Sequence, residues 1–183
     1  QGGRTIVILV DSLRPAEEGA SVFAPGTEGL FLLRLGALLA SGAGGRLVAL
    51  KLVAVPDGES LSAYSTKAQE LRRELEREML AALSTGSEPV DGGTAHSSNG
   101  NGTGPLAPYG FISPVVKVAP ENDLAVEVRA FLALEPGAMA LLPMRRARDG
   151  EPAWLRRALR KPLPADVGWV RPPTDGYGKE TPF

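Results

Sequence analysis

Residues 5–10 form an unbroken run, Thr-Ile-Val-Ile-Leu-Val, with no polar alternation, as a strand buried on both faces of a parallel sheet requires. Residues 11–26 hold two prolines, two glycines and the acidic pair Glu17-Glu18. They read as an extended crossover loop ahead of a helix N-capped at Thr27 and running to Ser41. Phe31, Leu35, Leu38, Leu39 and Gly42 fall on one helical face and are its predicted core side, while Gly42-Ala43-Gly44-Gly45 supplies left-handed stop chemistry. A second strand is predicted over 47–55. Ala68, Leu71, Leu75, Met79 and Ala82 then recur at spacings of three and four, with Arg and Glu between them, which predicts a strongly amphipathic helix.

The character changes over 84–108, where Gly, Ser, Thr and Asn dominate and almost nothing could join a core; this segment reads as a flexible insertion. Residues 113–119 are the third predicted strand. Asp123 is the expected cap of a helix carrying Leu124, Val128, Phe131 and Leu132, ended by Pro136-Gly137. Strands over 138–143 and 166–170 flank a short helix over 152–159, and 172–183 reads as an extended tail. Residues 1–171 thus predict one α/β domain. Strands alternating with helices imply an open five-stranded parallel sheet with helices on both faces, since parallel strands need right-handed crossovers. Ligands of such sheets sit beyond the C-terminal strand ends, which directs attention to Asp11, Pro56 and the segment after Met144.

Composition narrows the chemistry. Twenty Lys and Arg stand against 21 Asp and Glu in 183 residues, so no global basic field exists to hold nucleic acid or an anionic membrane, and any such binding must be local. The absence of cysteine excludes disulfides, thiolate metal sites and thiol nucleophiles, and is compatible with a reducing compartment. His96 is the only histidine, lies in the low-complexity segment, and has no partners for a zinc site or a Ser-His-Asp triad. No metal site, cofactor or catalytic constellation is expected. No apolar stretch reaches the ~20 residues needed to span a bilayer. The chain opens Gln1-Gly2-Gly3-Arg4 without an initiator Met, as a piece of a longer polypeptide would.

Two local features remain. Arg145, Arg146, Arg148, Arg156, Arg157, Arg160 and Lys161 form a basic cluster opposed by Asp149 and Glu151. It begins where a parallel strand ends, so its guanidinium groups could bind phosphate; a solvated helix face is the plainer reading. Asp11-Ser12 at the end of the first strand could touch a ribose or a metal, or Asp11 could simply cap its own turn. Gly100-Asn101-Gly102-Thr103-Gly104 lacks the Lys-Ser or Lys-Thr of a phosphate loop.

Taken in order, Ile6-Val7-Ile8-Leu9-Val10, Gly44-Gly45-Arg46, residues 47–56, Pro114-Val115-Val116-Lys117-Val118 and Ala140-Leu141-Leu142-Pro143 resemble a universal stress protein. The resemblance implies the strand order 3-2-1-4-5 and a homodimer formed by pairing of the last strands, with Val167, Trp169 and Val170 at the seam. ATP-binding members carry an acidic residue after the first strand and G-x-x-G, nine residues, then G-[ST] after the fourth. Asp11 matches the first, but Gly150 is the single glycine between 145 and 162. A side chain at the missing glycines blocks close approach of amides to phosphate, so ATP binding in that manner is not expected.

The stretch from Met144 to Arg157 is similar to stress-protein-like tails of bacterial transporters such as amino acid permeases and cation antiporters. This implies a non-catalytic, cytoplasmic regulatory and dimerisation domain, tethered at the inner membrane face and touching the membrane-embedded part of a transporter. The alternative is a free-standing nucleotide-binding protein using Asp11, Arg145, Arg146, Arg148 and Gly150 toward a nucleotide or phosphate.

Overall fold

The computed structural model describes residues 3–85, 109–135, 137–145 and 150–172. Nine elements follow in order among them: β1 (Thr5–Leu9), α1 (Glu28–Gly42), β2 (Arg46–Val55), α2 (Ser65–Ser84), β3 (Ile112–Pro120), α3 (Leu124–Leu134), β4 (Met139–Pro143), α4 (Ala153–Ala158) and β5 (Asp166–Val170). The insertion expected over 84–108 falls outside the described residues except for Ser84 and Thr85. So do Pro136, residues 146–149, and the tail from 173 onward.

The five strands form one sheet, ordered β3-β2-β1-β4-β5, and every pairing is parallel. All five β1 residues are buried, as their unbroken apolar run predicts. One face packs Ile6, Ile8, Leu47 and Ala49 against Leu32 and Leu33 of α1 and Leu75 and Met79 of α2. The other packs Val7, Leu9, Val48 and Leu50 against Val128 and Leu132 of α3 and Trp154 and Leu155 of α4.

Thr27 caps α1 as expected, its Oγ1 accepting Leu30 N–H at 3.1 Å. At the other end Gly44 has φ +61, with Gly45 N–H bonded to Ala40 O at 2.8 Å and Gly44 N–H to Ser41 O at 3.3 Å. These are the paired bonds of a Schellman stop.

The face of α1 differs from expectation. Phe31, Leu38 and Leu39 are exposed, at 38%, 69% and 40%, and the buried stripe is instead Leu30, Leu32, Leu33, Gly36 and Ala40. The helix is apolar nearly all round, so spacing offers two stripes. Close approach selects one: a Cβ on Gly36 would lie 2.8 Å from Leu47 Cδ1, so glycine lets the helix settle onto β2. Asp123 also departs from expectation. A 3₁₀ turn, Glu121–Asp123, leads into α3, and Asp123 sits at the cap position without a side-chain capping bond.

Candidate functional site

The strand order reverses between β1 and β4, which places a crevice beyond their C-terminal ends. After β1 the chain makes a 3₁₀ turn, Val10–Ser12, which turns the Asp11 side chain toward β2. Its Oδ2 accepts Leu52 N–H at 3.0 Å and its Oδ1 lies 3.6 Å from Lys51 Nζ. Burial raises the Asp11 carboxyl above the ordinary aspartate range, opposed by Lys51 and by the Leu52 amide. The buried Ser12 hydroxyl donates to Leu9 O at 2.6 Å. Asp11-Ser12 therefore spends its polar atoms within the fold.

Arg145, two residues beyond β4, enters the same crevice. Its Nη2 donates to Ser12 O at 2.8 Å and pairs with Glu28 Oε1. Its Nε lies 3.8 Å from Glu151 Oε1 and is buried without a hydrogen-bond partner. The Arg145 and Glu151 side chains are 9% and 2% exposed. Glu28 Oε1 also accepts Arg14 N–H at 2.9 Å. Because Glu28 occupies the first turn of α1, its carboxylate satisfies the positive helix end where an external anion would otherwise be favoured.

The basic cluster read from the sequence thus divides. Arg145 points inward as the centre of an ion-pair group, whereas Arg156, Arg157, Arg160 and Lys161 are exposed on the outer side of α4 and the turn after it. Arg146 and Arg148 lie outside the described residues. Gly150 adopts φ +83 just before Glu151. Glu28 and Lys51 have no signal in the sequence, since no spacing connects them to residues 11 or 145, whereas Glu151, expected as an acid opposing the basic cluster, does face Arg145.

A neighbouring groove of about 420 Å³ is lined by Val10, Val22, Lys51, Leu71, Glu74 and Glu78, among others. Lys51 is paired with Asp11, so two carboxylates face this groove against one engaged cation. No group of three or more His, Cys, Asp or Glu converges as metal ligands would among the described residues. None of the described helices is long and apolar enough to cross a membrane.

The two outer strands differ. β3 carries Pro114, Lys117 and Pro120, residues that discourage pairing of an edge. β5 opens with Asp166, which is paired with Arg4, and continues Val-Gly-Trp-Val over 167–170 without further charge or proline. Asp166 N–H bonds to Ala138 O and Val170 O accepts Met144 N–H, so even-numbered β5 residues face β4. By strand alternation the backbone groups of Val167 and Trp169 face the open edge. Val167 and Val170 are half-buried, and Trp169 is exposed.

No protein-family model matches the chain, and neither does any curated protein. One solved structure it is similar to is a crystal structure of a universal stress protein in complex with cAMP. The identity is 12%, with 94% of this chain and 100% of that chain covered and a TM-score of 0.45. The fold class rests on this chain's own ladders: a five-stranded parallel sheet in the order that the universal stress protein resemblance implies.

Proposed function

We propose that this chain is a non-catalytic regulatory and dimerisation domain that serves a membrane transporter from its cytosolic side and takes no nucleotide in the manner of ATP-binding universal stress proteins. The observation that carries the reading is Arg145, whose side chain occupies the switch-point crevice between Ser12, Glu28 and Glu151. A phosphate there would have to displace two carboxylates, and Asp11 is engaged by Leu52 and Lys51. The reading of Asp11 and Arg145 as nucleotide ligands is correspondingly the weaker one.

Dimerisation is supported by the contrast between the guarded β3 edge and the unguarded β5 edge. An uncovered strand of this kind is an aggregation hazard unless a second copy closes it.

Calorimetry with ATP, AMP and cAMP is expected to show no saturable binding below the millimolar range; saturable binding abolished by Arg145→Ala would overturn the crevice argument. Light scattering is expected to find a dimer that Val167→Pro converts to monomer, because the lost N–H is an outer-edge donor. A monomer at high micromolar concentration would sink the assembly reading. The transporter setting predicts that an antibody to this domain finds it in the membrane fraction of its native cells, and a wholly soluble distribution would refute it.

A further inference from the structure

Eight Lys or Arg and three Asp or Glu lie between residues 145 and 171, in a chain of net charge −1. The positive charge of the molecule is thus concentrated here. α4 buries Trp154, Leu155 and Ala158, which turns Arg156 and Arg157 outward; Arg160 and Lys161 continue the same arc one turn on. All four are exposed, and none forms an ion pair with the described residues.

The arc is held in shape from below. Arg129 of α3 donates to Ala158 O at 3.1 Å, Lys161 O at 3.3 Å and Pro162 O at 2.9 Å, which fastens the turn carrying Arg160 and Lys161. Val167 of β5 packs against the core cluster to which Trp154, Leu155 and Ala158 of α4 also belong. Trp169, two residues along, lies on the same side of the sheet and is 48% exposed. No described acid forms an ion pair with these cations.

We propose that the α4–β5 face is a docking surface for an anionic membrane. The outer side of a helix is convex, so it cannot enclose a small phosphate ligand. A broad anionic plane can neutralise all four cations at once, while an exposed indole at the rim enters the headgroup level where tryptophan is favoured. One basic patch gives reversible attachment, suited to a domain otherwise held near the bilayer. The inference rests on the transporter reading for its setting only.

The test is co-sedimentation of the full chain with phosphatidylcholine vesicles with and without phosphatidylserine. Binding is expected to the anionic vesicles alone, to fall as salt screens the surface charge, and to shift Trp169 emission to the blue. Trp154 is buried, so the shift reports on Trp169 and is absent in Trp169→Phe. The combined change Arg156→Gln, Arg157→Gln and Arg160→Gln is expected to lower the partition about a hundredfold, roughly fivefold per cation, with an unchanged circular dichroism spectrum.

Equal binding to neutral vesicles, an unaltered partition of the triple variant, or tighter binding to duplex DNA than to anionic vesicles at the same salt would overturn the proposal. Nucleotide calorimetry and light scattering read the crevice and the β5 edge, so their failure and this one are separable.

Discussion

Arg145 and Glu28 are 117 residues apart in the chain and share a charge-assisted hydrogen bond across the crevice. With Glu151 they tie the segment after β4 to the start of α1. Removing one partner of a buried pair leaves the others uncompensated, at a cost of about 3 kcal/mol. Arg145→Met is therefore expected to lower Tm by roughly 6–12 °C for a chain of this size. Adding Glu28→Gln and Glu151→Gln should recover part of the loss, because residues in one network do not act additively. Thermal unfolding of the single and combined variants checks this.

Arg129→Ala is expected to destabilise the fold by about 2 kcal/mol, since three carbonyls at the end of α4 lose their donor. Arg129→Lys should recover little. One ammonium cannot reproduce the guanidinium fork that reaches Ala158, Lys161 and Pro162 together. Urea unfolding of the two variants distinguishes a bonding role from a charge role.

The two apolar stripes of α1 respond differently to substitution. Gly36→Val places atoms against Leu47 and Ile8 and should cost about 1–3 kcal/mol by overpacking. Leu38→Ser, on the exposed stripe, should stay within about 0.5 kcal/mol of wild type. Equal losses at both positions would contradict the observed orientation.

Asp11 gives the pH dependence a definite sign. Its carboxyl is raised by burial in the folded chain, so the native state holds its proton to higher pH than the unfolded chain does. Its contribution is favourable below the ordinary aspartate pKa and is lost as pH rises through the raised value. Asp11→Asn, which still accepts Leu52 N–H, should flatten that decline. Tm measured from the ordinary aspartate range up to neutrality, for wild type and variant, reads the difference.

Much of the architecture was legible because burial acts directly on sequence pattern. The run over 5–10 has no polar break, and the structure buries every residue of β1 on both sides. The 42–45 glycines closed α1 by local bonds alone. Leu75, Met79 and Ala82 were readable as the core side of α2 because charged residues fill the rest of that helix.

The α1 face was not legible, because a helix apolar all round carries no preferred direction; only the fit of Gly36 against Leu47 selects one. The crevice was half legible. Asp11 and Arg145 stand out as charges at strand ends, which the parallel topology makes meaningful. That Arg145 turns inward to Glu28 and Glu151 while Arg156, Arg157 and Arg160 turn outward is a tertiary outcome. The pairing of Arg145 with Glu28 across 117 residues leaves no periodic trace, and only the docking of α1 beside β4 brings that carboxylate within reach of the guanidinium.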